Sequence, residues 1–297
     1  MSEAAGNERQ VVIVLGPGRS GTSLAMQVLH ALGMQLSPKL LPGSAGNPKG
    51  FLEDEEIVNM HKTLMQTLDL HPGDTFPDNW YHGKEARTCI SEFQKVIDAR
   101  LSAIPGVWGF KDPRTATFLP LWHRALNRPG IIPVYILAVR HPATVVASLH
   151  AETDRSVAAN ELLWLQRTVD ALYYTGGNCF IVHYEDWSIR PEEIAEELSA
   201  YTGLNQEPRG TAGAAVRAVI DRALNRAFQR KPGLLKDSRV HELYRELEQC
   251  RDAHFDRDRL MAVVREIRDS MEKDGRDASG GIGPGAKRRS GSELYSK

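Results

Sequence analysis

The sequence predicts an α/β fold of three layers, in which helices flank a central, mainly parallel sheet. Three observations support this fold class: short apolar strand patterns recur along the chain, helical patterns separate them, and a glycine-rich turn follows the first strand directly. Continuous runs of β-branched and other apolar residues are typical of strands buried on both faces of a parallel sheet. The predicted strands are residues 11–15, 106–110, 134–139 and 179–184.

Helical patterns lie between and after these strands. The first has its apolar residues on one side and is expected to end at Gly33. The predicted helices are residues 22–32, 57–68, 144–150, 158–174 and 191–201. Strands that alternate with helices favour a parallel sheet. Because such sheets bind ligands beyond the carboxyl ends of their strands, we expect the functional residues there.

Composition and charge limit the classes of function. The chain has 297 residues, of which 41% are hydrophobic and 25% charged, which allows a sizeable core and excludes wholesale disorder. The formal net charge is -1, so the chain has no overall positive charge for nucleic acid or an anionic membrane. We therefore expect no nucleic-acid partner, and any bound anion requires a local cluster of cations.

The sequence shows no signal for export, a membrane span or a metal site. The longest apolar run, residues 131–139, contains Pro133 and is shorter than the roughly 20 residues that a membrane span needs. Cys89, Cys179 and Cys250 have neither metal-ligand nor disulfide spacing, so reduced core thiols are expected. These features predict a soluble, cytoplasmic protein.

One domain is expected over residues 1–272, followed by a disordered tail at 273–297 that is rich in glycine and serine. Residues 37–80 predict an excursion of loops around one helix, a common place for substrate-binding elements. Residues 240–272 predict a helical extension that packs on the body of the domain, with a homodimer contact as the alternative. Its apolar stripe is Val240, Leu243, Leu247, Cys250, Leu260, Val263, Ile267 and Met271.

The strongest local signal is the turn GPGRSGTS at residues 16–23, between the first strand and the first helix. Such a turn directs several backbone N–H groups at an anion near the positive end of the helix. Its glycines allow tight turning, and Ser20, Thr22 and Ser23 add hydroxyl donors. Since the spacing is that of a nucleotide P-loop, we expect a P-loop-like form of the α/β fold.

One residue departs from the nucleotide P-loop. Thr22 stands where the Walker lysine would contact a triphosphate, which argues against hydrolysis of ATP or GTP. Arg19 lies inside the loop instead, and its guanidinium can fork onto a phosphate or sulfate oxygen. The loop alone does not distinguish phosphoryl from sulfuryl transfer.

A second, separate anion cluster is predicted after the strand at residues 134–139. Arg140 ends that strand, Pro142 fits the first turn of a helix, and Ser148 follows two helical turns later. Taken alone, Arg140 would be a surface cation. Its place after the glycine-rich turn in the order of the motifs favours a role in binding an anion instead.

These motifs resemble those of the sulfotransferases that use 3′-phosphoadenosine-5′-phosphosulfate (PAPS). Residues 17–23, PGRSGTS, are similar to the arginine-bearing form of their 5′-phosphosulfate loop, with one additional residue. Arg140 and Ser148 match the arginine and serine of their 3′-phosphate site. KDPR at residues 111–114 and HYEDW at residues 183–187 resemble two further elements of carbohydrate-type members. The motifs stand in the expected order over residues 11–187.

Two features depart from the family pattern. Cytosolic members have a histidine base two residues after the central lysine, where this chain has Pro113. Residues 230–233, RKPG, match a late cofactor segment of those enzymes only in part. The general base must therefore come from elsewhere in the chain.

The resemblance implies transfer of a sulfuryl group from PAPS to a hydroxyl of a small-molecule, sugar or lipid acceptor, with adenosine 3′,5′-bisphosphate (PAP) as product and no metal. Arg19 would be the main charge stabiliser. Arg140 and Ser148 would bind the 3′-phosphate, and Tyr184 or Trp187 would border the adenine or belong to the core. The 5′-phosphosulfate would bind Gly18, Arg19, Ser20, Gly21, Thr22 and Ser23.

The resemblance also implies a role for the KDPR element. Lys111 is expected to reach the sulfuryl group or the leaving oxygen, and a surface lysine that pairs with Asp112 is the alternative. Arg114 would either touch the cofactor or hold a loop of the site.

The acceptor requires a general base. Glu53 is the candidate, because arginine-loop sulfotransferases supply a glutamate in this excursion. The solvated acidic start of a helix would explain the same carboxylates. The rivals are Asp54, Glu55, Glu56 and His61. The aromatic residues that could line an acceptor pocket are Phe51, Phe76, Trp80 and Tyr81.

Two other functions are the alternatives. A P-loop kinase acting on a small metabolite would need ATP and magnesium, and the missing Walker lysine argues against it. A non-catalytic interaction module that uses the helices at residues 240–271 would bind no PAP.

Overall fold

A parallel sheet forms the centre of the protein. The structure, a computed structural model, describes residues 8–43, 51–70, 78–204, 217, 219 and 234–279. The strands are β1 (Arg9–Leu15), β2 (Trp108–Lys111), β3 (Ile131–Val139) and β4 (Phe180–His183). They are all parallel and lie in the order β2-β1-β3-β4. The predicted α/β fold with a central parallel sheet is confirmed.

Helices cover both faces of the sheet. They are α1 (Thr22–Ala31), α2 (Glu55–Thr67), α3 (Lys84–Ala103), α4 (Thr115–Leu126), α5 (Pro142–Glu152), α6 (Val157–Thr175), α7 (Pro191–Thr202), α8 (Ser238–Leu247) and α9 (Arg257–Ser279). Short 3-10 helices occupy Asp78–His82 and Glu185–Ser188. Across the described ranges, none of the helices combines the length and the apolar character that crossing a bilayer requires.

The strand side chains alternate between two hydrophobic clusters. Ile13 and Leu15 of β1 belong to the cluster under α3 to α6, α8 and α9. Val12 and Val14 belong to the opposite cluster, under α1 and α7. Because both faces are covered, the strands are apolar throughout, which explains the continuous runs in the sequence.

The strand bounds differ from the prediction at the amino ends. β1 begins at Arg9 and β3 at Ile131, because these two residues pair in register. β2 begins two residues later than predicted and includes Lys111. Pro133, which has no N–H, lies in the part of β3 that only β1 adjoins, since β4 pairs with β3 from Ile136 onward.

Two long helices, α3 and α4, are absent from the sequence prediction. Pro120 lies inside α4, and a proline normally ends a helical pattern. α3 is polar apart from one buried stripe that includes Phe93 and Ile97. Both helices pack on the same face of the sheet, where Trp122 of α4 is fully buried.

The C-terminal helices α8 and α9 pack against α6. Most residues of their apolar stripe are buried in the main cluster. Val264 is fully buried where the sequence pattern assigns Val263, which is only partly buried. α9 continues past residue 272 to Ser279, and residues 280–297 lie outside the described ones. The homodimer contact stays a prediction.

The three cysteines are free thiols. Cys179 and Cys250 are buried and Cys89 is half-buried, close to the expectation of core thiols. Burial raises the pKa of Cys179 to about 12 and that of Cys250 to about 11. Both buried groups are therefore protonated thiols at neutral pH.

His183 connects the end of β4 to the C-terminal extension. Its Nε2 lies 3.1 Å from the carbonyl oxygen of Leu247 and 3.0 Å from that of Cys250, so one N–H is shared between two acceptors. Burial lowers the pKa of His183 to about 4, and the nearby Arg251 adds to the effect. The folded imidazole is therefore neutral at neutral pH.

We predict that the free energy of unfolding falls as the pH drops from 6.5 towards 4. The unfolded imidazole, whose ordinary pKa is 6.5, binds a proton in this range and the folded one does not. Stability that is present above pH 6.5 is therefore lost, by about 3 kcal/mol for His183. Denaturant titrations at several pH values measure this loss.

His183→Asn should reduce the pH dependence over this window. Some dependence should persist, because burial also lowers the pKa of His123. His254→Asn is the control for the substitution itself: the side chain of His254 is exposed, so its replacement should change the free energy of unfolding at pH 7 little. If the free energy of unfolding of His183→Asn depended on pH as steeply as that of the native chain, the prediction would be contradicted.

Candidate functional site

The predicted site residues meet at the carboxyl edge of the sheet. Residues 16–21 connect β1 to α1, Lys111 is the last residue of β2, and Arg140 and Tyr184 directly follow β3 and β4. β2 and β3 lie on opposite sides of β1, so the connections diverge at β1. Such a switch point leaves a crevice beyond the strand ends, where ligands of open parallel sheets bind.

Residues 16–21, here called the glycine loop, pass close to the neighbouring strands. A Cβ on Gly16 would lie 2.5 Å from the carbonyl oxygen of Ala138 in β3, and one on Gly21 would lie 2.5 Å from the ring of Tyr184. Arg19 has a φ of 73°, in the left-handed region that side chains rarely adopt. The loop therefore needs glycine at both contacts and places strain at Arg19.

The hydroxyl groups of the loop are turned inward. Ser20 and Thr22 are 0% and 3% exposed. The Ser20 Oγ is buried and has no hydrogen-bond partner among the described residues. Ser23 donates from its Oγ to the carbonyl of Phe51 at 3.3 Å. A buried hydroxyl of this kind fits a ligand that brings an oxygen atom to the start of α1.

Arg140 is almost fully buried between the glycine loop and Tyr184. Its Nη1 donates to the backbone carbonyl of Arg19 at 3.2 Å, and its guanidinium carbon lies 4.1 Å from the centre of the Tyr184 ring. Burial lowers the pKa of Arg140, an effect that Tyr184 and Glu185 oppose. Since Arg140 is 5% exposed, the surface-cation alternative is wrong.

Ser148, on α5, contacts Arg19 directly. The Nε of Arg19 donates to the Ser148 Oγ at 3.0 Å, and its Nη2 lies 3.2 Å from Oε1 of Glu152. The two anion clusters that the sequence treats as separate therefore form one connected group. Glu152 is not among the site residues predicted from the sequence, although its spacing of four residues from Ser148 places both on one face of a helix.

Lys111 and Glu53 form a buried ion pair. The Lys111 Nζ lies 2.7 Å from Oε1 of Glu53, and the side chains are 3% and 9% exposed. The alternative of a surface lysine paired with Asp112 is therefore wrong. Glu53, the candidate base, and Lys111, expected at the sulfuryl group or the leaving oxygen, are therefore in direct contact.

Backbone contacts hold Glu53 in place. Its carbonyl accepts the N–H of Leu41 at 2.9 Å, and Asp54 forms an antiparallel bridge with Leu40. Leu52, directly before Glu53, has a φ of 52° in the left-handed region. The segment therefore turns sharply before Glu53 and enters α2 directly after it.

All four rival bases have structural partners, and three of them are carboxylates. Asp54 caps α2, and its Oδ2 lies 2.7 Å from Nε of Arg100. Burial would raise the pKa of Asp54, but the bonds from Arg100 lower it below its usual value. Glu56 also pairs with Arg100, and Glu55 pairs with the exposed Lys39.

His61, the remaining rival, is fully buried. Its Nδ1 lies 2.9 Å from Oδ2 of Asp112, and its Nε2 accepts the indole N–H of Trp122 at 2.9 Å. Because an indole only donates, the proton of a neutral His61 is on Nδ1. Both ring nitrogens are used, so His61 has none to offer to a substrate.

Asp112 organises the turn after Lys111. Its Oδ1 accepts the backbone N–H of Arg114 at 2.9 Å, and Nη1 of the same arginine at 2.8 Å. Burial would raise the pKa of Asp112, but Arg114 and His61 lower it well below its usual range. Of the two roles expected for Arg114, these contacts are those of a residue that holds a loop.

The aromatic residues considered for the acceptor pocket differ in burial and in the groups they contact. Tyr81 is 2% exposed, and its hydroxyl donates to the carbonyl of Thr117 at 3.0 Å. Trp80 packs against the same core, whereas Phe51 is half-buried beside the glycine loop. Phe76 and the RKPG segment at residues 230–233 lie outside the described residues.

Of the two aromatic candidates for the adenine, Trp187 lies in the core. It is 3% exposed and belongs to the cluster that includes Ile194 and Leu198 of α7. Tyr184 is half-buried between Gly21 and Arg140. Tyr184 is therefore the aromatic residue that borders the glycine loop.

A groove of about 700 Å³ runs between α2 and α3. Its lining includes Asn59, Leu64 and Phe93, but neither the glycine loop nor Lys111. The groove is therefore distinct from the crevice at the strand ends.

We predict that the Lys111–Glu53 pair is sensitive to loss of either partner. Lys111→Met should lower the free energy of unfolding by about 3 kcal/mol, because the charge of Glu53 stays buried without its counterion. Glu53→Gln should also lower the free energy of unfolding. The double variant should lose less than the sum of the two single losses. Denaturant titration of all three variants measures these energies.

Lys39→Met is the matched control. Lys39 pairs with Glu55 at the surface, where its side chain is 77% exposed, so the same substitution should have little effect. Equal destabilisation by Lys111→Met and Lys39→Met would refute the prediction.

No protein-family model and no curated protein matches the sequence. Solved structures do: the sulfotransferase domain of the Synechococcus PCC 7002 olefin synthase has a TM-score of 0.50 and 16% identity, covering 83% of this chain and 97% of that one. The sulfotransferase domain of the curacin biosynthetic pathway has a TM-score of 0.45 and 17% identity, covering 81% and 98%. Sulfotransferase STF1 from Mycobacterium tuberculosis H37Rv has a TM-score of 0.38 and 13% identity, covering 71% of each chain. This chain shares with the first of these structures a P-loop-like α/β fold.

Proposed function

We propose that this protein is a sulfotransferase that uses PAPS as its sulfuryl donor. The observation that carries the proposal is the connected group of Arg19, Arg140 and Ser148 beside the glycine loop. Two anion-binding elements that meet at one switch point fit a nucleotide with phosphate groups on its 3′ and 5′ oxygens. The fold shared with a sulfotransferase domain supports the same function.

The donor is proposed to bind across the ends of β1 and β3. Arg140 and Ser148 hold the 3′-phosphate, and Tyr184 borders the adenine. The buried Ser20 hydroxyl, which has no partner among the described residues, donates to the 5′-phosphosulfate. The full set proposed for that group is Gly18, Arg19, Ser20, Gly21, Thr22 and Ser23.

The proposed reaction is a direct sulfuryl transfer. The acceptor hydroxyl oxygen forms a bond to the sulfur of PAPS, while the bond from sulfur to the bridging oxygen of the 5′-phosphate breaks. The electrons of that bond go to the bridging oxygen, and PAP leaves. Glu53 takes the hydroxyl proton, and Lys111 and Arg19 stabilise the charge on the leaving oxygen.

Arginine and lysine side chains supply the positive charge in this proposal, which assigns no role to a metal. Because Arg19 also contacts Ser148, its side chain links the 3′-phosphate site to the reacting group. We therefore expect that loss of Arg19 weakens PAP binding as well as catalysis. The acceptor is a hydroxyl of a small molecule, a sugar or a lipid, and the proposed location is the cytoplasm.

We predict that PAP binds to the native protein and that Arg140→Ala weakens binding by about tenfold or more. The substitution removes a charge-assisted contact to the 3′-phosphate, and tenfold corresponds to about 1.4 kcal/mol. Isothermal titration calorimetry measures the affinity, and addition of a chelator should not change it.

Arg190→Ala is the control for this experiment. Arg190 pairs with Glu197 beside α7, so PAP affinity should stay at the native value. Binding of ATP–magnesium without binding of PAP would refute the proposal and support the kinase alternative. Binding of neither nucleotide would also refute it and leave the non-catalytic alternative.

We predict that Glu53→Gln and Lys111→Met each lower the transfer rate by about 100-fold or more, because they remove a proton acceptor and a charge stabiliser. The assay follows radiolabelled sulfate from PAPS into a metabolite extract. PAP affinity, which reports the folded fraction, should change much less than the rate.

Glu55→Gln is the matched control, since it alters a neighbouring carboxylate at the surface and should leave the rate unchanged. Equal losses of rate and PAP affinity in Lys111→Met would remove Lys111 from the reaction.

A further inference from the structure

Arg167, on α6, is a buried arginine. It is 8% exposed, and its Nε is shielded from water with no acceptor. Within the part of the chain that the structure describes, no hydrogen bond or ion pair holds its guanidinium. By contrast, the buried Arg100 pairs with Asp54, and the buried Arg268 pairs with Asp170.

A buried charge without a counterion is unfavourable for folding. Burial, with a contribution from Arg114 and Arg155, lowers the pKa of Arg167 to about 10, although Asp112 and Asp170 oppose the shift. The group is still protonated at neutral pH. Since the buried Arg100 and Arg268 have carboxylate partners, Arg167 requires a different explanation. Binding of an external anion would explain why a protein keeps such a residue at a cost in stability.

Arg167 lies beside the turn that carries Lys111. The neighbouring Gln166 donates from Nε2 to Oγ1 of Thr117 at 3.1 Å, which fixes this turn of α6 against the start of α4. Asp112 and Arg114, in the turn itself, are close enough to affect the pKa of Arg167. The guanidinium is therefore near the end of β2, where the acceptor is proposed to react.

The carboxylates near Arg167 are bound to other groups. Asp112 accepts from both Arg114 and His61. Asp170 accepts from Arg268 at 3.2 Å and from Gln166 at 3.1 Å. Both carboxylates are thus engaged by groups other than Arg167.

We propose that Arg167 binds an anionic group of the acceptor, a carboxylate or a phosphate, and so selects acceptors that carry such a group near the reacting hydroxyl. The inference rests on the proposed sulfotransferase function, which places the acceptor beside Lys111 and Glu53. A guanidinium forms two parallel hydrogen bonds to either anion. A neutral acceptor would leave Arg167 buried and unpaired, which is the basis for discrimination.

Glycerol, glycerate and glycerol 3-phosphate are the probes, because they share hydroxyl groups and differ in the anionic group. Calorimetry is performed with saturating PAP, so that the phosphate sites of the donor are filled. At least one of the two anions should bind and glycerol should not. The anion that binds more tightly distinguishes a carboxylate from a phosphate site, whereas binding of neither anion overturns the proposal.

Arg167→Met tests the residue itself. It should weaken binding of the anion by about tenfold or more and leave PAP affinity unchanged. An unchanged affinity for the anion overturns the proposal. A matching loss of PAP affinity overturns it too, since it assigns Arg167 to the donor.

Thermal unfolding gives a second readout without any ligand. Arg167→Met should raise the midpoint by about 2 °C or more, because it removes an unpaired buried charge. Arg268→Met is the matched control and should lower the midpoint, because it leaves Asp170 buried without its cation. A midpoint of Arg167→Met that does not rise indicates a structural arginine and overturns the proposal.

The two proposals fail in different ways. If PAP does not bind to the native protein, the sulfotransferase function fails. If PAP binds and transfer depends on Glu53, but neither glycerate nor glycerol 3-phosphate binds, only the role proposed for Arg167 fails.

Discussion

The site depends on the close approach of the turn after β1 to the end of β3. At Gly16 the backbones are so near that any Cβ would collide with the carbonyl of Ala138. Because of this contact, Arg140 starts beside the glycine loop and reaches the carbonyl of Arg19 while nearly buried. The two cationic elements, which belong to different strands, thereby acquire one fixed geometry.

A second constraint is electrostatic. Two buried cations are held by groups of opposite sign: Lys111 by Glu53, and Arg100 by Asp54. A buried charge is tolerated when its partner is in place and is costly when it is not. These two pairs therefore fasten residues 51–56 to β2 and α3, so the position of Glu53 is fixed by charge as well as by apolar packing.

Local signals made the strands, the glycine loop and the place of Arg140 predictable, because apolar runs and glycine spacing are properties of neighbouring residues. α4 was hidden by Pro120, which interrupts a local pattern without breaking the folded helix. The contact of Lys111 with Glu53, 58 positions apart, depends on how a distant segment folds over β2 and has no local signal. The lack of a partner for Arg167 is likewise a property of tertiary structure, although an arginine in an apolar helical pattern gives a hint.

The bridge between Leu40 and Asp54 gives the intervening chain two fixed ends. Insertions or deletions between these ends would not displace Glu53, since the N–H of Leu41 and the cap of α2 hold it from both sides. The entropic cost of lengthening such a connection grows slowly with its length. The length of the chain between these ends can therefore vary while Glu53 keeps its place beside Lys111.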